Sequence, residues 1–169
     1  EEIDADFKAD LVGISVQAPT APYAYRLASR YRADGIPVVL GGIHVSLNPE
    51  EALPHADAVV VGEAELSWPQ LVEDFRQQRL KKLYRANGLD DLDRSPVPRR
   101  ELLKTSLYRI PNVIQASKGC PYGCCFCSLH AYIGHTPRFR SIPSVIDEIR
   151  ALPSNSFILA DDNLYCDPA

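Results

Sequence analysis

Three short apolar runs constrain the fold more than any other feature of this 169-residue sequence. They lie at 11–16, 37–40 and 57–61, and each has the length of a buried strand. Two segments with helix-capping patterns, near 22–34 and near 67–79, follow the first and third runs. Strands that alternate with helices predict a parallel sheet, and nearly continuous apolar strands agree because both faces of such a sheet are covered. We therefore expect a doubly wound α/β domain over the first 80 residues.

The second half of the chain changes character and then returns to the same alternation. Residues 81–111 are rich in turn-forming pairs and predict a linker, with one edge strand at 81–84. From residue 112 the sequence predicts a strand at 112–117, a helix near 144–152 and a strand at 156–160. The expected organisation is an α/β domain at 1–80, a linker at 81–111 and the start of a second α/β domain at 112–169.

Composition narrows the class of protein. Hydrophobic residues make up 46% of the chain and charged residues 24%, which is ordinary for a globular protein. The net charge of −4 argues against a nucleic-acid partner, because such domains carry clustered basic charge. No apolar run approaches the ~18 residues of a membrane span. Five cysteines, an odd number with four of them crowded between 120 and 127, do not resemble a disulfide framework, so we expect a cytoplasmic protein.

Three of these crowded cysteines carry the clearest chemical signal. Cys120, Cys124 and Cys127 have C-x3-C-x2-C spacing and follow the predicted strand at 112–117. Thiolate is a soft ligand that selects iron–sulfur clusters, zinc or Cu(I). Three thiols without an obvious fourth favour a cluster with one open iron, because a closed structural site would use four protein ligands. The alternative is a structural zinc site formed by Cys124, Cys127 and either Cys120 or His130.

This cysteine motif, with Phe126 just before its last cysteine, resembles the cluster motif of the radical S-adenosylmethionine (SAM) enzymes. The resemblance implies that Cys120, Cys124 and Cys127 hold three irons of a 4Fe–4S cluster. It implies that the fourth iron binds the amino and carboxylate groups of SAM, and that Phe126 packs near the adenine. Reductive cleavage of SAM would then yield a 5′-deoxyadenosyl radical that attacks a small-molecule substrate. Cys125 departs from the plain motif, and we expect its side chain to face away from the cluster.

The same resemblance also implies further contacts with SAM and a protein that supplies electrons. Asp161, Asp162 and Asn163 end the last predicted strand, where related enzymes place groups that contact the amino end of SAM. Ordinary capping of the strand end is the alternative for these residues. The reaction also implies a reductant, such as flavodoxin or ferredoxin.

The first half of the chain has its own resemblance. Gly-Ile-Ser-Val at 13–16, Gly-Gly-Ile-His-Val at 41–45 and Gly-Glu-Ala-Glu at 62–65 resemble cobalamin-binding domains fused to radical SAM barrels. That subgroup places the nucleotide tail of cobalamin among loops at the carboxyl ends of the strands. The resemblance implies that Ser15 and the backbone of Gly41 and Gly42 line this pocket, with Gly62 and Glu63 beside it. A missing Cβ would let a flat ligand lie against the backbone.

Together the two resemblances imply a Rossmann-like, flavodoxin-like cobalamin-binding domain, a linker, and the first βα unit of a radical SAM partial TIM barrel. We expect the 169 residues to be a piece of a longer enzyme and to be inactive alone. The expected reaction is radical chemistry on an unactivated carbon, including methyl transfer relayed by cobalamin. The alternatives are a non-catalytic zinc-binding interaction module on a flavodoxin-like domain, or a radical SAM enzyme whose N-terminal domain no longer binds cobalamin.

Overall fold

Four parallel strands form the central sheet of the N-terminal half in the computed structural model, which describes residues 8–86, 88 and 91–165. Residues 1–7 and 166–169, at the ends of the two predicted domains, lie outside the described residues, as do 87, 89 and 90 of the predicted linker. The chain forms two compact units, Glu1–Gly88 and Leu89–Ala169. Within the described ranges no helix has the length and apolar character needed to cross a membrane.

The sheet of the first unit follows the chain order. Its strands are β1 (Val12–Ser15), β2 (Val38–Gly41), β3 (Ala58–Gly62) and β4 (Leu83–Ala86), paired in the order β1-β2-β3-β4. Ser15 lies opposite Gly41 at the carboxyl ends of β1 and β2, and Gly62 lies opposite Ala86 at the ends of β3 and β4. The register therefore brings the loops that follow these strands to one edge of the sheet.

Helices cover both faces of this sheet. They are α1 (Ala21–Ala33), α2 (Ile43–Leu47), α3 (Pro49–Ala52) and α4 (Ala64–Arg76). Side chains of β2 alternate between two cores: Leu40 joins the core that contains Ala28 of α1, and Val39 joins the core that contains Leu71 of α4. The predicted doubly wound α/β sheet is confirmed, because the central strands β2 and β3 bury apolar side chains on both sides.

Helix α4 begins three residues earlier than the sequence pattern indicates. The pattern of Ser67 and Pro69 predicts a start near 67, whereas the helix begins at Ala64 and contains Pro69. Gly62, with φ of 88°, reverses the chain after β3, and Glu63 then has the extended backbone of an N-cap. The turn at Gly62 therefore sets the start of the helix, and Ser67 lies buried within it.

The second unit contains one parallel βα unit and one antiparallel pair of short strands, called the hairpin below although a helix lies between its strands. Strand β5 (Val113–Ile114) pairs in parallel with β8 (Ile158–Leu159), and helix α6 (Ile142–Arg150) lies between them in the sequence. Strands β6 (Ser117–Lys118) and β7 (Arg138–Phe139) pair antiparallel, with α5 (Leu129–Ile133) between them. The predicted strand–helix–strand order is present, but the hairpin was not predicted. A complete barrel remains a prediction.

A buried carboxylate anchors α6 in this unit. Glu148 is 6% exposed and forms ion pairs with Arg100, from a short 3-10 helix at Arg100–Leu102, and with Arg140. Arg100 also donates to the backbone carbonyl of Val113 in β5. Burial opposes ionisation of Glu148, but hydrogen bonds from the two arginines outweigh it and hold its pKa below the usual value. The charged form of Glu148 therefore links the start of this unit to α6.

Candidate cofactor sites

The loops after β1 and β2 are in direct contact. Gly42 has φ of 92°, and a Cβ built on it would lie 2.8 Å from Ser15 Oγ and 2.8 Å from the Val16 nitrogen. Backbone hydrogen bonds join the loops, from Val16 N to the Gly41 carbonyl (2.8 Å) and from His44 N to the Val16 carbonyl (3.2 Å). Glycine is required at position 42 because its missing Cβ admits the neighbouring loop.

Ser46, on the first helical turns after this loop, joins two of the predicted glycine segments. Its hydroxyl donates to the Gly42 carbonyl (2.8 Å) and accepts from the Gly62 nitrogen (3.0 Å). The loops after β2 and β3 are thereby tied through one side chain. Sequence reasoning did not identify Ser46, since nothing in its local pattern reports a hydrogen bond to a residue sixteen positions away.

Gly62 and Glu63 form the other side of this edge. A Cβ on Gly62 would lie 2.4 Å from the Ala86 carbonyl oxygen of β4, so the backbone of the neighbouring strand occupies the space beside it. Glu63 is only 7% exposed, while Ser15 is exposed. The missing Cβ atoms at positions 42 and 62 thus serve contacts within the protein, which differs from the expectation that they face a ligand.

The structure therefore places Ser15, Gly41, Gly42 and Gly62 at one edge of the first sheet, with Glu63 buried beside them. Ser15 offers an exposed hydroxyl at this edge, and a neutral polar group of this kind suits the nucleotide tail of cobalamin. Open α/β sheets bind ligands outside the carboxyl ends of their strands. The geometry fits a tail site there.

His44, beside this edge, is engaged with the helices instead. Its Nε2 lies 3.3 Å from Glu51 Oε1, and the same carboxylate accepts a hydrogen bond from Tyr25 Oη at 2.9 Å. The Tyr25 ring stacks on His55 with 4.3 Å between centroids. Partial burial, together with the hydrogen bond to the Glu51 carboxylate, raises the pKa of Tyr25 to about 12. This network ties α1 and α2 to α3 through the Glu51 carboxylate.

In the second unit, the cysteine loop begins at a glycine whose backbone conformation other residues rarely adopt. Gly119 has φ of 98°, and a Cβ there would lie 3.2 Å from the Pro137 Cα and the Thr136 carbonyl. Cys120 is half-buried, whereas Cys124 and Cys127 are exposed and are joined by a turn in which Cys127 N donates to the Cys124 carbonyl (3.0 Å). These thiols are free, as is that of Cys125.

Free thiols of this kind fit an iron–sulfur cluster by their donor chemistry. Across residues 8–86, 88 and 91–165, no three Cys, His, Asp or Glu side chains lie close enough together to hold a metal ion. His130, the alternative zinc ligand, has its Nε2 3.2 Å from the backbone oxygen of Cys120 and its ring against His135. The loop therefore presents the predicted ligands without drawing three of them to one point.

The end of β8 braces this loop through three consecutive side chains. Asp161 Oδ1 accepts hydrogen bonds from the backbone nitrogens of Ala116 (2.7 Å) and Ser117 (3.1 Å). Asp162 Oδ2 accepts from Gly119 N at 2.8 Å. Asn163 Nδ2 lies 3.6 Å from Cys120 Sγ. The structure thus uses these residues to hold the chain that leads into the cysteines, a role that sequence reasoning missed.

Near these hydrogen bonds lie two buried polar atoms without a partner and one exposed aromatic ring. In the part of the chain that the structure describes, Asp161 Oδ2 and Ser117 Oγ are buried and have no hydrogen-bond partner. Phe126, the residue before the last cysteine, is 88% exposed. An ammonium group could use the free carboxylate oxygen and an aromatic ligand could use the ring, so contacts of Asp161 and Phe126 with SAM remain predictions.

Known proteins match this chain in two ways, by the B12 binding domain of the first unit and by methyltransferases similar over most of the chain. Residues 1–72 match the model of the B12 binding domain. The chain is 34% identical to bacteriochlorophyllide d C-8(2)-methyltransferase of Chlorobaculum tepidum, over 97% of this chain and 40% of the relative. It is 33% identical to bacteriochlorophyllide d C-12(1)-methyltransferase of the same organism, over 99% of this chain and 39% of the relative. It is 31% identical to hopanoid C-2 methylase of Rhodopseudomonas palustris, over 76% of this chain and 25% of the relative.

These matches define the class of protein. The N-terminal region belongs to the B12-binding domain family, and B12 is cobalamin. Over nearly its whole length the chain is similar to proteins named as methyltransferases, and together with the B12-binding match this confirms the predicted resemblance to a piece of a B12-binding radical SAM enzyme. The chain spans about two fifths of the length of the first two relatives.

Proposed function

We propose that the full-length protein containing this chain is a cobalamin-dependent radical SAM methyltransferase. The observation that carries the proposal is the joint presence of a B12-binding domain and a loop of free cysteines braced by the end of β8. The cobalamin domain, predicted at 1–80, would also include β4 as the fourth strand of its sheet. The linker, predicted at 81–111, would follow β4, and 112–169 would form the start of the barrel. When bound, the 4Fe–4S cluster supplies an electron that cleaves SAM, and cobalamin relays a methyl group to carbon.

The residues of the first unit would bind the tail of cobalamin. The exposed hydroxyl of Ser15 and the backbone of Gly41 and Gly42 would contact it, with Gly62 and Glu63 beside them. Ser46 would hold the two loops in a fixed spacing, because its hydroxyl bonds to both. A site whose loops are tied before the ligand arrives loses less conformational freedom on binding.

The residues of the second unit would bind the cluster and SAM. Cys120, Cys124 and Cys127 would hold the cluster, while the exposed ring of Phe126 would cover the adenine. The end of β8, at Asp161 and Asp162, would fix the approach of the loop to the cluster and offer its free carboxylate oxygen to the amino group of SAM. These contacts exclude water and orient SAM, which is the part that a protein supplies in cofactor chemistry.

The substrate class and the reductant follow from the same proposal. The names of the relatives, which refer to bacteriochlorophyllide d and to hopanoids, favour a small-molecule methyl acceptor with an unactivated carbon. The electron would come from a protein such as flavodoxin or ferredoxin.

An absorption spectrum of the full-length protein, reconstituted anaerobically with iron, sulfide and cobalamin, tests the proposal. We expect the broad absorption of a cluster together with corrinoid bands that remain after gel filtration. A cluster without retained corrinoid would assign the protein to radical SAM enzymes that have lost cobalamin. Absence of both chromophores, with zinc found by elemental analysis of the purified protein, would favour the interaction module.

A further inference from the structure

The carboxamide of Asn163 points its nitrogen, and not its oxygen, at the sulfur of Cys120. The amide nitrogen lies 3.6 Å from Cys120 Sγ, a hydrogen-bond distance for the large sulfur atom. At its other end, Asn163 Oδ1 accepts a hydrogen bond from Tyr165 N at 3.2 Å. A backbone N–H can only donate, so the atom facing Tyr165 must be the oxygen. The group that faces the thiol is therefore the NH2.

This orientation is held by the neighbouring residues. Asp161 and Asp162 bond to backbone nitrogens on the segment that leads into Cys120, at 2.7 Å to Ala116 N and 2.8 Å to Gly119 N. The segment that leads into Cys120 is thus fixed to the same end of β8 that carries Asn163. Cys120 is also the least exposed of the three predicted cluster ligands. A hydrogen bond in such a partly dehydrated position is stronger than one in open solvent.

We propose that Asn163 is a positioning residue for the cluster, which donates a hydrogen bond to the Cys120 thiolate and raises the reduction potential of the cluster. A donor to a ligand sulfur withdraws electron density from it and so stabilises the additional electron of the reduced state. This role replaces the contact of Asn163 with SAM that the sequence predicted, and it rests on the proposed function, because it requires the cluster.

The test is an anaerobic redox titration of the full-length protein without SAM, monitored by the electron paramagnetic resonance (EPR) signal of the reduced cluster. Asn163→Asp keeps the shape and the acceptor for Tyr165 but loses the donor and adds a charge. Asn163→Leu removes the donor without adding a charge, and Asn163→Ala replaces it if the leucine variant loads no iron. Asn155, exposed on the turn before β8, supplies the matched controls Asn155→Asp and Asn155→Leu.

We expect every Asn163 variant to lower the reduction potential and both Asn155 variants to leave it unchanged. A drop in Asn163→Asp alone would mean that charge acts without a hydrogen bond, and would overturn the proposal. An unchanged potential in the neutral variants, with a weaker SAM-induced change of the EPR spectrum, would overturn it in favour of a SAM contact. Failure of the proposed function is distinct, because the wild-type protein itself would then carry no cluster.

Discussion

Alanine substitution at three glycines of the first unit measures how tightly the edge of its sheet is built. Gly41 has no positive φ, and a Cβ on it would meet Val60 at an ordinary 3.6 Å. Gly35 has φ of 76°, but no described atom lies within 4 Å of its Cβ position. Gly62 combines φ of 88° with a distance of 2.4 Å to the Ala86 carbonyl oxygen. The three positions thus represent three cases. Alanine at 41 meets no strain and no overlap, alanine at 35 meets backbone strain alone, and alanine at 62 meets both strain and overlap.

The expected losses of unfolding free energy follow that order. Gly41→Ala should be near neutral or stabilising by about 0.5 kcal/mol, because alanine restricts the unfolded chain. Gly35→Ala should cost about 1 kcal/mol, since the strain of a left-handed backbone is partly offset by the same effect. Gly62→Ala adds an overlap with backbone that cannot rotate away, worth about 1–3 kcal/mol, for a total of about 2–4 kcal/mol.

Tryptophan fluorescence during urea denaturation of the 169-residue chain provides the assay. Trp68 is the only tryptophan in the sequence and lies on α4, with its ring 3.0 Å from the Cβ position of Gly13 in β1. Its signal therefore reports the first unit. Equal losses for Gly62→Ala and Gly35→Ala would refute the reasoning, because they would show that β4 moves aside without cost.

Two further predictions concern a hydroxyl and a carboxylate. Ser46→Ala in the full-length protein should lower cobalamin affinity several-fold, because it releases the loops at Gly42 and Gly62. The control Ser29→Ala, which removes a hydroxyl on the exposed face of α1, should leave the affinity unchanged. Cobalamin affinity is measured by equilibrium dialysis, and equal affinities of the two variants would contradict the bridging role. Glu148→Gln should cost about 3 kcal/mol or more in urea denaturation followed by far-UV circular dichroism, because it leaves two arginines beside a buried neutral group. The pKa of Glu148 is lowered on folding, so its contribution is present above the unfolded pKa and is lost as the pH falls through the folded pKa; Glu148→Gln should lack this part of the acid sensitivity, and an unchanged pH profile would contradict it.

The sequence allowed prediction of the first sheet because its information is local. Continuous apolar runs such as Val38–Gly41 can only be buried, and the alternation with helices determines the parallel topology. The hairpin of β6 and β7 escaped prediction because each strand has two residues and its partner lies about twenty positions away. A pattern of two residues has no measurable period.

In the candidate site, too, local features were predictable from the sequence and long-range contacts were not. The cysteine spacing and the strand-end glycines were visible because they are short motifs. The bridge formed by Ser46 and the bracing by Asp161 depend on hydrogen bonds to residues 16 and 45 positions away in the chain. Only the folded backbone brings such partners together. The reason for glycine at 42 and 62 was likewise hidden, since a neighbouring loop or strand, and not a ligand, fills the space.

Formation of 5′-deoxyadenosine tests the central claim most directly. The full-length protein, reconstituted anaerobically, would be incubated with SAM and a reductant, and the nucleoside measured by chromatography. We predict product from the wild-type protein and from Cys125→Ala, and none from Cys120→Ala, Cys124→Ala or Cys127→Ala. Absence of product from cluster-loaded wild-type protein, or undiminished product after loss of any one of the three predicted ligands, would contradict the account.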